Sequence, residues 1–218
     1  MKTDKELGRL IQLHLIDQGV ETPTRQRIGD ADKIRKQVII DSITDIMTTG
    51  LGLDLEDDSL KGTPERIARM YMDEIFYGLD INKFPKVTTV ENRMQYDEMI
   101  LIKDISVSST CEHHFVVIDG IAHVAYIPKK KIVGLSKINR VVEYFSKRPQ
   151  IQERLTEQIY HALCFILETD DIAVVINATH YCVKSRGVKD INSSTTTSKL
   201  GGIFREGDVR NEFMNLIR

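Results

Sequence analysis

The chain has 218 residues, 41% hydrophobic and 28% charged, with a formal net charge of -2. That length and balance fit one enlarged domain, or one domain with a smaller appendage, around a real core. They argue against bulk nucleic-acid binding, since there is no basic tail, and against a disulfide framework, since only Cys111, Cys164 and Cys182 are available.

The N-terminal segment carries charges throughout and no apolar stretch of signal-peptide length. No run reaches the roughly 18 apolar residues of a membrane span, so a cytoplasmic chain with no membrane partner is expected. Residues 4–18 read as a helix with Leu7, Leu10, Ile11 and His14 on one side. Gly19, Pro23 and Gly29 break the pattern. A second helix is predicted from Asp30 to Thr49, with Ile34, Val38, Ile39, Ile43 and Ile46 as its apolar face and Gly50 as its stop. In "GTPERIARMYMDEIF", Thr63 is the expected cap and Pro64 the first helical residue. Ile67, Met70, Tyr71 and Ile75 form its buried stripe, while Arg66 and Arg69 share another face.

After Pro85 the pattern changes. "MILIKDISVSS" and "FVVIDGIAHVAYIP" read as two strands that pair antiparallel. "LSKINRVVEYFSKRP" is predicted helical, with Ser136 as cap, Ile138, Val141, Val142 and Phe145 inside, and Pro149 as its end. The next helix buries Ile151, Leu155, Ile159, Ala162, Leu163 and Ile166. "IAVVINATHYCV" is a strand, "SSTTTS" a hydroxyl-rich loop or strand, and "VRNEFMNLI" a closing helix. Helices followed by mixed strands and helices give an α+β class. The division expected is a helical region over 1–95 and a catalytic domain over 96–218.

The chemistry concentrates between the two strands, in "SSTCEHHF". Cys111 and His114 have a spacing that lets a tight turn present a thiolate and an imidazole to one ion. His180 and Cys182, two apart on the predicted strand, share a face, and Cys182 supplies a third donor. A Cys₂His set favours zinc and leaves a coordination position for water, the mark of a catalytic site. His113 is either a filler or a proton-transfer group, because imidazole titrates near neutrality. His180 is expected beside the same pocket. Cys164, His14, His123 and His161 read as packing or surface residues. Lys137 and Arg140 near a helix start suggest an anion site, with Arg66/Arg69 and Lys184/Arg186 as further cationic pairs. Gln152 and Glu153 open a helix, where a carboxylate can accept the paired N–H donors of a guanine edge.

These segments resemble a known family. "DEMILIKDISVSSTCEHHF", "GLSKINR", "SKRPQIQERLT" and "HYCVKSRG", with "TPERIARMY" and "TTTSKLGG", are similar to the motifs of GTP cyclohydrolase I of the bacterial type. The resemblance runs from about Glu21 to the C-terminus and implies the tunnelling fold: an antiparallel sheet with helices on one side, an N-terminal helical extension, and a ring of ten subunits with active sites between them. It implies hydrolysis and rearrangement of GTP to formate and 7,8-dihydroneopterin triphosphate, the entry to folate and pterin synthesis, with water on zinc attacking purine C8. Matched by motif, zinc falls on Cys111, His114 and Cys182. Acid/base roles fall on His113, His180 and Ser136. Guanine recognition falls on Glu153 and Gln152, and triphosphate contacts on Lys137, Arg140, Arg186, Arg66 and Arg69. At Arg69 the family more often has lysine, a point charge rather than a planar fork. A zinc deaminase is excluded, because H-x-E and P-C-x-x-C are absent. A structural zinc protein would need a fourth protein donor.

Overall fold

Residues 2–25 and 32–218 are described by a computed structural model. Two compact units result: Met1–Thr22 with Gly78–Arg218, and Pro23–Tyr77. This division differs from a boundary at residue 95, because the first helix belongs with the sheet. That helix, α1 (Lys5–Asp17), is capped by the Asp4 carboxylate, which accepts from Leu7 N–H at 3.0 Å. It buries Gly8, Ile11 and Leu15 rather than Leu10, which stays exposed. The apolar stripe is thus rotated from the one expected.

The second unit holds α2 (Asp32–Asp45), extended by a wide π-type turn over Ile46–Gly50, and α3 (Thr63–Met70), extended likewise over Tyr71–Ile75. The expected break at Gly29 and helix start at Asp30 lie outside the described residues. Ile34, Val38 and Ile46 are exposed, so the predicted apolar face of α2 has Met47 as its buried neighbour. The cap of α3 is Gly62, not Thr63. Gly62 sits at φ 78, and Thr63 is already helical, its hydroxyl accepting from Arg66 Nη2 at 2.6 Å. Glycine takes that left-handed conformation without a Cβ clash.

The first unit is built on a five-stranded sheet, ordered β5-β2-β3-β6-β7. Its strands are β2 (Ile100–Cys111), β3 (Val117–Tyr126), β5 (Pro149–Gln150), β6 (Ile172–His180) and β7 (Thr195–Leu200). A separate pair joins β1 (Thr89–Glu91) to β4 (Lys131–Val133). The pairings β2–β3, β3–β6 and β6–β7 are antiparallel, as expected for the strands flanking "CEHH". The exception is β5, which runs parallel to the end of β2. Pro149 therefore does more than end a helix. It opens this short strand.

Two helices, α4 (Leu135–Ser146) and α5 (Gln152–Leu167), supply most of the core partners of the sheet. Side-chain contacts fix the face that α5 covers. Thr197 of β7 lies opposite Ile176, and its hydroxyl meets Thr156 of α5 at 2.6 Å. Ile118, Ala122, Val124, Ile172, Val174 and Ile176 are fully buried on this face, together with Leu155, Ile159, Ala162 and Leu163. Alternation along β3 and β6 produces the face, since every second residue points the same way.

The helices are not confined to one side. The closing helix α7 (Gly207–Leu216) packs Phe213 on the opposite face, with Phe204, against Ala125, Ala173 and Val175. Leu101 joins the same cluster. Within β2 the register slips between Ile102 and Ile105, and Asp104 takes φ 54. This β-bulge inserts one residue. Beyond it, Ile105, Val107 and Ser109 pair with Ala122, Gly120 and Ile118, so odd-numbered residues of β2 now face α5. No helix among the described residues is long and apolar enough to cross a membrane.

Candidate metal centre

Cys111 is the last residue of β2, and the chain doubles back at once. Cys111 N–H donates to Val116 C=O at 2.8 Å, and Phe115 N–H donates to Cys111 C=O at 2.9 Å. Phe115 sits at φ 53, a left-handed conformation uncommon for a bulky residue. Glu112 N–H donates to Gln150 C=O at 3.0 Å, tying the turn to β5. This geometry returns His114 toward Cys111, as the C-x-x-H spacing predicts.

The third donor arrives differently from expectation. β6 ends at His180, and Cys182 lies in a single helical turn, α6 (Tyr181–Lys184). The two residues do not share a strand face. Cys182 nevertheless reaches the site: the donor atoms of Cys111, His114 and Cys182 all lie within 4.8 Å of one another. All three cysteines are free thiols. Burial, then the neighbouring Cys111 thiol, push the Cys182 thiol up. Two sulfurs and an imidazole converge here, and this donor set suits a soft dication, which would favour the thiolate forms.

A neutral imidazole has one lone pair. In His114 it is engaged by Arg186, whose Nη1 lies 2.8 Å from Nε2.

His113 is exposed yet borders the donor group: its Nδ1 lies 3.7 Å from Cys111 Sγ, and its ring makes 64° with that of His114. His180 is half-buried, and its Nε2 lies 2.6 Å from Gln152 Oε1. Burial pushes the His180 imidazole down, opposed by the charge of Glu153. Glu112 forms an ion pair with Arg154 at 2.6 Å, both partners largely shielded. The sequence reading passed over this pair, although Glu112 lies inside "CEHH" and Arg154 directly follows Glu153. Cys164 is packing, its thiol pushed up to about 12 by burial. His14 and His161 stack edge to face at 5.9 Å, beside a cavity of about 580 Å³ that contains none of the metal donors.

A family model described as GTP cyclohydrolase I matches residues 39–218. The GTP cyclohydrolase 1 of Erwinia tasmaniensis is 53% identical over 220 residues, covering 100% of this chain and 99% of its relative. That of Klebsiella pneumoniae subsp. pneumoniae is 54% identical over 211 residues, 96% of this chain and 95% of the relative. That of Actinobacillus pleuropneumoniae serotype 5b is 57% identical over 206 residues, 93% of each. The chain belongs to the GTP cyclohydrolase I family. It is an enzyme of the GTP cyclohydrolase I type, and the fold described above is the mixed α+β architecture of that family.

Within this GTP cyclohydrolase I chain, the remaining expected residues are spread over several elements. Ser136, Lys137 and Arg140 stand on α4, but the cap there is Gly134 and Ser136 falls inside the first turn. Ser136 is exposed, and Lys137 and Arg140 are half-buried. Glu153 is exposed in the first turn of α5, near enough to His180 to raise its proton affinity. Gln152, one residue earlier, is fully buried, and its amide is bonded within the chain. Arg66 and Arg69 are exposed on α3 of the second unit, and Arg66 bonds to Thr63 and to the carbonyls of Ser59 and Lys61.

Proposed function

We propose that the protein converts GTP and water to formate and 7,8-dihydroneopterin triphosphate, the first step of tetrahydrofolate and pterin synthesis, in the cytoplasm. The observation that carries the reading is the convergence of Cys111, His114 and Cys182 in a chain of this family. These three residues would hold zinc, which supplies a Lewis acid and brings water to hydroxide near neutral pH.

The protein's own groups do the rest. Glu153 accepts the N1 and N2 hydrogens of guanine. Lys137, Arg140 and Arg186 receive the triphosphate, and Arg66 and Arg69 from a neighbouring subunit complete that contact. His113, outside the donor group and exposed, carries the proton to N7 as water adds at C8, and the C8–N9 bond breaks so that the ring opens with the formyl group on N7. A second water releases formate from the resulting formamide. His180 and Ser136 serve the later proton transfers, in which the ribose opens, rearranges to a ketone and closes on the freed amine. That closure returns one water, so the net reaction consumes one.

Zinc-loaded protein incubated with GTP is expected to release formate and, after oxidation, to yield pterin fluorescence. Absence of formate in a sample of verified zinc content rejects the reading. His113→Ala is expected to retain zinc and lose ring opening; zinc loss in that variant, by metal analysis, would count against the assigned role. We extend the proposal to a homo-oligomeric ring of ten subunits. In support, β7 ends the sheet with an open edge, and apolar Ile34 and Val38 of α2 are exposed.

A further inference from the structure

Gln152 belongs with Glu153 in the sequence motif, but its side chain faces the protein interior. The residue is 1% exposed. Its Nε2 lies 3.0 Å from Ile176 C=O, 2.9 Å from Thr195 C=O and 3.1 Å from Thr197 Oγ1. Two of these partners can only accept. The third is made an acceptor by its neighbours. Thr156 Oγ1 donates to Gln152 C=O at 2.9 Å, so the short Thr156–Thr197 contact at 2.6 Å uses the Thr197 hydrogen. The Thr197 oxygen is then left to accept, so the two amide hydrogens face three acceptors and no donor. Turning the amide over would set its oxygen against two carbonyl oxygens, that of Ile176 buried, at the cost of its bonds to Ile176, Thr195 and Thr197.

The amide oxygen is therefore fixed toward His180, whose Nε2 lies 2.6 Å away. An oxygen that can only accept requires a hydrogen on that nitrogen. In neutral imidazole the other nitrogen is then bare. We infer that Gln152 is a positioning residue for His180, holding it in the Nε2–H tautomer with Nδ1 as the ring's proton acceptor, and is not a guanine contact. The strand–helix packing of Ile176, Thr195 and Thr197 against the first turn of α5 sets this orientation before substrate arrives. The catalytic consequence rests on the cyclohydrolase reading. The tautomer does not.

The decisive measurement uses zinc-loaded wild-type protein labelled with ¹⁵N-histidine, with long-range proton–nitrogen correlation in the neutral-imidazole range. The His180 signal is identified by its loss in His180→Gln. A protonated Nε2 and a bare Nδ1 are expected. An Nδ1–H ring, or averaging between the two tautomers, overturns the inference. A second arm compares steady-state kinetics of Gln152→Met with wild type. The expected result is a fall in kcat of about tenfold or more, with KM for GTP changed by less than about twofold. A raised KM with kcat retained assigns the amide to substrate and rejects the proposal. The tautomer measurement needs no variant of Gln152 and no turnover. A wild-type protein without cyclohydrolase activity would refute the proposed function and leave this inference to be decided by its own spectrum.

Discussion

Adjacent histidines in "CEHH" have different surroundings because the turn splays their rings. Both are exposed, but the His114 ring lies with Cys111 and Cys182, while His113 meets only Cys111 of these. The three donors are interdependent. With Cys182→Ala only Cys111 and His114 remain, and zinc affinity is expected to fall by more than about 100-fold, beyond the usual effect of losing an outer partner. Competition against a chromogenic chelator measures this, and unchanged affinity would show that Cys182 is not a donor. At this scale the sequence was informative where spacing alone acts. The C-x-x-H interval defines a turn whatever surrounds it. It was uninformative for Cys182's approach, since Tyr181–Lys184 makes one helical turn, too short for any periodicity to separate it from the strand before it. The partners of Gln152 were illegible for another reason: the acceptors that meet its amide come from β6 and β7, distant in sequence.

Among the elements, β2 shows how one irregular position organises a strand. At the bulge, Asp104 N–H donates to His123 Nδ1 at 3.3 Å, so the unpaired backbone donor of the inserted residue is satisfied by a buried side chain. His123 had read as a bystander in the sequence. Burial pushes its imidazole below the ordinary value of 6.5, with Asp104 opposing and Lys103 assisting. The unfolded chain therefore takes up this proton first as pH falls. His123 stabilises the fold fully above about pH 6.5, and the contribution is lost as pH drops from there toward the depressed folded value. His161 and His180, also lowered chiefly by burial, act in the same direction. Urea midpoints of the wild type are expected to decline between about pH 7 and pH 5, and His123→Asn should show a smaller decline. Equal declines would remove the bulge from the account. Helices and strands of the core were legible from apolar periodicity. The caps at Gly62 and Gly134 were not, because serine and threonine beside them offered the commoner capping chemistry.

For the whole molecule, composition and motif order led to the family, and the architecture follows the α+β expectation with two departures. One strand pair is parallel, and α7 covers part of the second face. The C-terminal helix is short, and its partners Phe204, Ala125 and Ala173 come from three other segments, so local patterning could not assign its side. The open edge of β7 and the exposed face of α2 lead to an expectation for solution size. Sedimentation equilibrium should give a mass several times that of the 24.9 kDa chain, near tenfold if the ring is complete. A monomer at micromolar concentration would remove the shared-site part of the proposal. The bulge at Asp104 carries a last consequence, for which lengths of this chain can work. It acts as a phase shift within β2: Leu101 faces α7, and in an unbulged strand of the same length Cys111 would share that direction. Deleting one residue between the bulge and Cys111 would keep the bulge and point the first candidate donor to the wrong side of the sheet, whereas deleting Asp104 itself would remove the bulge with the residue and leave Cys111 facing as it does.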